Sequence, residues 1–323
     1  MLRNFFYFTL TLIILILVGC SAVQKNNIFY FGGKIKNPQG KSVFIYKNNV
    51  EIAKTSLNYE NEFEFKLDSL STGLYTFKHG KEHQYFFLEP NDSLLVRLNT
   101  WDFDESLVFT GKGAERNNFL LQLFLENERQ EKVFNNSFKL NETEFIKKAD
   151  SLLNLKTILV KQFKEGTKKQ TKLFNKLLET AIHLPIYSNK EKYAKNFKTK
   201  NNLKNLPKLS KSFYDFRRSK IISNSTFTDY YLYENYLWYK IYNKALHKEE
   251  EDDKYQLSTL LLKEIAKGVE NTNIQNNMLQ EVFVSSLLNE ACNKSDKTIS
   301  KQLFFDNCSD AVCKDDVRKI LSV

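Results

Sequence analysis

Cysteine offers the first chemistry in this sequence. Cys20 closes Leu17-Val18-Gly19-Cys20, directly after an uncharged run from Phe5 to Val18 that itself follows Arg3. The run is shorter than the ~20 residues a membrane-spanning helix needs and has the form of a signal-peptide apolar region. Gly19 gives a peptidase close access to the backbone, and the Cys20 thiol can take a diacylglycerol. The spacing therefore predicts residues 1–19 as a cleaved lipoprotein signal, Cys20 as the lipidated first residue, and 20–27 as a tether. A short uncleaved anchor and a buried core helix are the rival readings. Each buried acyl CH₂ adds ~0.8 kcal/mol of membrane affinity. Ser21-Ala22-Val23-Gln24 carries no acidic cluster, so the expected location is the periplasmic face of the outer membrane.

Cys292, Cys308 and Cys313 would then lie in an oxidising compartment, where disulfides persist. Cys308 and Cys313 are wrongly spaced for contact within one helix, where neighbours lie three or four apart, but well spaced for a helix start. With Ser309 as N-cap of a last helix through Val317, Ile320 and Leu321, Cys308 is N′ and Cys313 is N4. Those are the two positions of a hydrophobic staple. A Cys308–Cys313 disulfide is expected. Two reduced thiols packing as small hydrophobes, or a bridge from either to Cys292, are the alternatives.

The remaining candidates are weak. His79 and His83 flank Gly80-Lys81-Glu82 and read as exposed residues of a hairpin tip rather than metal ligands. Asp102, Asp104 and Glu105 lack the Gly and distal Glu of a calcium loop. Gly111-Lys112-Gly113 lacks the third Gly, or the Lys-Ser/Thr, of a phosphate loop. No Gly-x-Ser-x-Gly occurs, and His183 and His247 stand alone. The expectation is a chain that is not an enzyme and holds no metal or cofactor. The strongest compositional anomaly runs from Lys190 to Lys220, rich in lysine with interleaved aromatics. Lys208, Lys211, Arg217, Arg218 and Lys220 are candidates to meet anionic headgroups or an acidic partner, at ~1 kcal/mol each. Solvated helix faces are the plainer reading. The net charge of +10 is by itself weak evidence for a partner, and an exported protein does not meet genomic DNA, so no nucleic-acid partner is expected.

These residues need elements to carry them. From Ile28 to Phe109 short runs alternate apolar and polar residues, as in Phe63, Phe65 and Leu67 against Glu62, Glu64 and Lys66. Turn signals such as Asn37-Pro38-Gln39-Gly40 and Pro90-Asn91-Asp92-Ser93 separate them. About eight strands at this spacing predict an antiparallel sandwich. After Ala114 the period is helical. Asn141 reads as an N-cap with Glu144 in a capping box. Its helix puts Phe145, Ala149, Leu152, Leu155, Leu159 and Phe163 on one stripe. The next helix, with Phe174, Leu177, Leu178, Ala181 and Ile182, is expected to stop near Pro185. A helix over Tyr230 to Tyr242 has aromatics on every face and reads as a central core element rather than a one-sided stacking platform. The fold class is α+β, with a β-sandwich at 28–113 and an all-α domain at 114–323. Only Gly111 and Gly113 mark the join, so the two should be closely apposed.

Several stretches carry a resemblance. They are Gly33-Lys34-Ile35, Asn58 through Phe65, Gly73-Leu74-Tyr75, Leu88 through Leu94, and Leu107 through Ala114. Over roughly 28–125 they resemble the N-terminal β-domain of TlpA-like thiol:disulfide reductase lipoproteins, with Asn61 and Asn91 where that family often has Gly. Asn is the next-best residue for φ > 0, so the turns can survive. In that family a helical segment leads into a thioredoxin domain with Trp-Cys-x-x-Cys. No Cys-x-x-Cys occurs here, so the reductase activity does not carry over. The expectation is a membrane-anchored envelope lipoprotein acting as a non-catalytic binding or scaffold module. An accessory to a thioredoxin-like envelope protein, using redox-exchangeable C-terminal cysteines, is the first alternative. A binder of anionic membrane through 190–220 is the second.

Overall fold

The structure, a computed structural model, describes residues 28–68, 70–223, 226–251, 254–288 and 294–322. Eight strands come first: β1 (Ile28–Lys36), β2 (Ser42–Lys47), β3 (Val50–Ser56), β4 (Glu62–Asp68), β5 (Gly73–His79), β6 (Glu82–Leu88), β7 (Ser93–Asn99) and β8 (Val108–Lys112). One turn of helix, α1 (Phe103–Ser106), interrupts β7 and β8. The strands form two four-stranded sheets, ordered β4-β1-β7-β8 and β3-β2-β5-β6. Pairing is antiparallel except between β1 and β7, which run parallel.

The alternating rows meet between the sheets. Phe29, Phe31, Phe63, Phe65, Leu94 and Val96 from the first face Val43, Ile45, Tyr75, Phe77 and Phe86 from the second. The Phe31 and Phe86 rings stack across the gap at 4.5 Å. The β1–β7 pairing brings backbones so close at Gly33 that a Cβ there would fall 2.1 Å from the Val96 carbonyl oxygen. Asn61 and Asn91 do take positive φ, at 62° and 63°. His79 departs from the reading as an exposed tip residue: it is fully buried. Its Nε2 accepts the Gln39 N–H at 3.0 Å, which leaves Nδ1 to donate to the Ser42 carbonyl, also at 3.0 Å. The ring ties the β1–β2 turn to the end of β5, and both its nitrogens are taken.

The helices follow: α2 (Ala114–Ser137), α3 (Glu142–Gly166), α4 (Lys172–Lys200), α5 (Lys220–Ser223), α6 (Tyr231–Glu251), α7 (Leu257–Gly268), α8 (Thr272–Leu288), α9 (Lys294–Asn307) and α10 (Ala311–Leu321). Gly113, at φ 96°, turns β8 into α2. The buried Asp92 carboxylate packs against it and pairs with Arg116, so the start of that helix carries the chain's own anion. Sheet and helices share a core. Leu74 and Phe87 leave the sandwich and join Phe119, Phe174, Leu177 and Tyr236. Asn117 of α2 closes the open edge of β6, accepting the Phe87 N–H at 2.6 Å and donating to its carbonyl at 3.0 Å.

Two helical expectations are corrected. Asn141 caps α3 as expected, accepting the Glu144 N–H. Its buried stripe, however, is Phe145, Ala149, Leu152, Lys156 and Val160, while Leu155 is exposed. A lysine occupies a core position. The chain also does not stop at Pro185, for α4 runs straight through it. Proline has no N–H to offer the carbonyl four residues back. That carbonyl, Ala181, instead accepts from Asn127 Nδ2 at 3.2 Å. Asn127 Oδ1 in turn accepts from Lys156 Nζ at 2.8 Å. The buried lysine and the unbroken helix are two ends of one repair.

Candidate functional site

Cys20 and Cys292 lie outside the described residues. Cys308 and Cys313 do come together, but as two buried free thiols in mutual contact rather than as a bridge. Asp310, not Ser309, caps α10, because a carboxylate oxygen reaches the N–H groups of both Val312 and Cys313. Cys308 is thus one position further from the helix than the staple requires, and Cys313 one position nearer its start. Burial, then the neighbouring Cys308 thiol, pushes the Cys313 thiol up to about 12. Cys308 Sγ donates to the Asp310 carbonyl and Cys313 Sγ to that of Asn276.

The basic segment is largely committed to the fold. Arg217, one of the anionic-surface candidates, is instead half of an internal pair. Its Nε donates at 2.8 Å to Glu191, whose carboxylate is fully buried, and its guanidinium stacks 3.9 Å over the Tyr214 ring. Lys190, Lys192 and Lys198 pair with Asp150, Glu131 and Glu250. Tyr193 and Phe213 are buried with Phe134 and Phe145. Lys208, Lys211, Arg218 and Lys220 are exposed, Arg218 in an ion pair with Asp215.

A groove brings three helix faces together. Its walls are α2 and α6, its floor is α4, and Glu131 lines three adjoining cavities of about 600, 380 and 220 Å³. From α6 come Tyr231, Trp238, Tyr239 and Tyr242, one stripe of that helix, half-buried. The residues that pack α6 into the core lie on its other faces: Leu232, Tyr236, Leu237, Ile241 and Ala245. The aromatic helix is therefore central, as its composition implies, and still presents rings on one side. Sequence reading missed this because tyrosines populate both sets. The available signal was the subset at i, i+7, i+8 and i+11, which shares one helical face.

Beneath the rings lies a polar seam on α4. Asn189 Nδ2 donates to Glu131 at 2.8 Å, and Lys192 Nζ reaches the other Glu131 oxygen at 3.1 Å while sitting 4.5 Å from the Tyr239 ring centroid. Lys195 lies 4.6 Å from the Tyr242 centroid. Asn243, 2 % exposed, lines the 380 Å³ cavity and donates to Glu191 at 2.8 Å and to the Tyr214 hydroxyl at 3.0 Å. A carboxylate only accepts, so the Asn243 amide is fixed with its NH₂ toward Glu191. Its Oδ1, buried in the seam, has no hydrogen-bond partner among the described residues, and neither has that of Asn189. Burial pushes Lys156 down to about 7 despite Glu126 and Glu131, and lowers His247, which Arg217 lowers further.

Chemically the groove can stack a ring, accept hydrogen bonds at Glu131, and offer ammonium groups. Among the described residues no group of three or more His, Cys, Asp or Glu could hold a metal ion. No described helix is long and apolar enough to cross a membrane. Compared with known proteins, the chain matches no family model, no curated protein and no solved structure.

Proposed function

We propose that this chain is an envelope lipoprotein, anchored through Cys20, whose folded body is a non-catalytic binding module with its site in the groove around Glu131. The observation that carries the binding reading is the meeting of an aromatic stripe with the Glu131–Lys192 pair and the Lys195 ammonium group in one cleft. A cavity of a few hundred Å³ with a few polar groups of fixed orientation suits a small molecule. Leu17-Val18-Gly19-Cys20 supports the anchor, and the resemblance over 28–125 supports an envelope setting. The redox-accessory reading is not favoured: a buried thiol raised to about 12 is protonated at neutral pH and exchanges poorly.

Two measurements test the proposal. Mass spectrometry of the mature protein should find a diacylglyceryl-modified Cys20 at the N-terminus; an unmodified Cys20 or a retained Met1 refutes the anchor. Thermal-shift measurements against sugars, amino acids, short peptides and nucleotides should find at least one saturable stabiliser that Trp238→Ala abolishes. Stabilisers indifferent to Trp238, or none at all, refute the groove as the site.

A further inference from the structure

The two sheets are not covered alike. The β3-β2-β5-β6 sheet sends Leu74 and Phe87 into the core it shares with the helices. On the outer rows of the β4-β1-β7-β8 sheet, Lys34, Lys36, Leu95, Arg97, Val108 and Lys112 are all exposed. The register puts them on one face. Lys34 lies opposite Arg97 across the β1–β7 pairing, and on its other side Arg97 lies opposite Val108 and Ser93 opposite Lys112. Residues two apart on a strand share a face, so Lys36 and Leu95 belong with them. The acidic groups of this face, Glu62, Glu64 and Asp68, are confined to the edge strand β4. Glu62 pairs with Lys34 and Glu64 with Lys66. Lys36, Arg97 and Lys112 have no carboxylate partner among the described residues.

Two aromatic rings stand at the rim. Tyr59, 93 % exposed, lies in the turn before β4, and Trp101, 78 % exposed, in the turn after β7. Both turns flank the end of β1. The Asn61 carbonyl accepts the Ile35 N–H at 3.0 Å, and the Thr100 N–H donates to the Lys36 carbonyl at 3.2 Å. Tryptophan and tyrosine favour a boundary where one side is apolar and the other wet. Cations without counter-ions, apolar side chains among them and rings at the rim together fit an anionic lipid surface. The leading end of the chain fits it too. Only residues 21–27 separate Cys20 from Ile28, a reach of at most about 28 Å. That is about the length of β1 itself, whose nine residues span about 30 Å from Ile28 to the rim. A body so tethered meets the bilayer at high effective concentration.

Resting on the anchor at Cys20 proposed above, we infer that this sheet face is the membrane-contacting surface of the body, and that its partner is an anionic phospholipid bilayer. Lys36, Arg97 and Lys112 lie over the headgroups, Leu95 and Val108 meet the boundary between them, and Trp101 seats its ring there.

The chain has two tryptophans, so Trp238→Phe makes Trp101 the reporter. The complete mature chain, carrying also Cys20→Ser so that no acyl chain contributes, is titrated with vesicles of phosphatidylglycerol and phosphatidylcholine. Trp101 emission should move to shorter wavelength and saturate, and the binding should weaken as salt rises. Phosphatidylcholine alone should give no shift. Lys36→Gln combined with Arg97→Gln should weaken binding roughly 25-fold, at about fivefold for each cation. Lys208→Gln combined with Lys211→Gln, in the basic helical segment, should leave it unchanged. All four substituted side chains are exposed. No binding to the anionic vesicles, binding without a change at Trp101, an equal shift with neutral vesicles, or equal weakening by the two pairs overturns the assignment. The anchor is tested separately, by the mass of the mature N-terminus, so each can fail without the other.

Discussion

Replacing Lys156 by Met should stabilise this protein near neutral pH. Lys156 is fully buried, and its ammonium group donates to a neutral amide, Asn127. Burial lowers it from 10.5 to about 7, with Glu126 and Glu131 opposing the shift and His183 within electrostatic reach. At pH 7 the fold must therefore discharge or desolvate an ammonium that water holds freely, at roughly 4 kcal/mol by linkage. The substitution removes that term. It also strips the donor from Asn127 Oδ1, which stays bound to Ala181 through its other atom, and this returns about 1–3 kcal/mol. The net expectation is a gain of about 2 kcal/mol at pH 7. For a base whose folded value lies below its unfolded one, the stability is fully present above 10.5. It falls as pH drops through the interval, and is level below about 7. The wild-type protein should therefore gain up to ~1.4 kcal/mol per pH unit relative to Lys156→Met, and the two curves should meet at roughly pH 9. Urea unfolding of both full-length proteins from pH 6 to 9.5 measures this. Parallel curves across that range would falsify the account of a neutral buried amine.

Three further outcomes follow from the geometry. Arg217→Met should cost about 3–5 kcal/mol, because it leaves the buried Glu191 carboxylate without its cation. Arg218→Met, which breaks only an exposed pair with Asp215, should stay within about 0.5 kcal/mol; equal losses in urea titration would mean the two arginines are not distinguished as described. His79→Ala should cost roughly 2–4 kcal/mol, since both the Gln39 N–H and the Ser42 carbonyl lose their partner; a loss below half a kcal/mol would contradict the double tie. Asp104 is raised to about 6 by burial foremost and by Glu128, Glu105 and Glu82, while Gln84 opposes. Its stabilising effect is complete below 3.8 and lost as pH rises through about 6, so Asp104→Asn should stabilise by a few tenths of a kcal/mol at pH 8 and not at pH 4. A stabilisation independent of pH would point to another cause.

The sandwich was legible because alternation with a period of two writes itself into residues such as Phe63, Phe65, Leu94 and Val96, and asparagine marked the positive-φ turns. The parallel placement of β1 beside β7 was not, since pairing partners leave no local trace in either strand. Asn141 announced its helix through the side chain that caps it. Pro185 misled because proline breaks a helix only when nothing else satisfies the freed carbonyl, and the satisfying group, Asn127, lies in another helix. Lys156 was passed over for the same reason: charge signals exposure until a distant partner reverses it. The groove needed three helices at once. Each contributes an ordinary-looking face, and only their packing turns Tyr239, Asn243 and Glu131 into neighbours.

The position of β1 in its sheet has a mechanical consequence. It is the strand nearest the N-terminus in the described chain, yet it is an interior strand, bonded to β4 on one side and to β7 on the other. Tension applied ahead of Ile28 is therefore not taken up by a peripheral hairpin that can unzip one bond at a time. It loads two ladders together, one antiparallel and one parallel, and both must shear before the strand can leave. The Gly33–Val96 approach sits in the middle of that joint. A body held by its leading end and exposed to drag would transmit the force into the best-bonded part of the sandwich. The helical domain continues from β8, the far edge strand of the same sheet, and also meets the other sheet through Asn117 and Phe87.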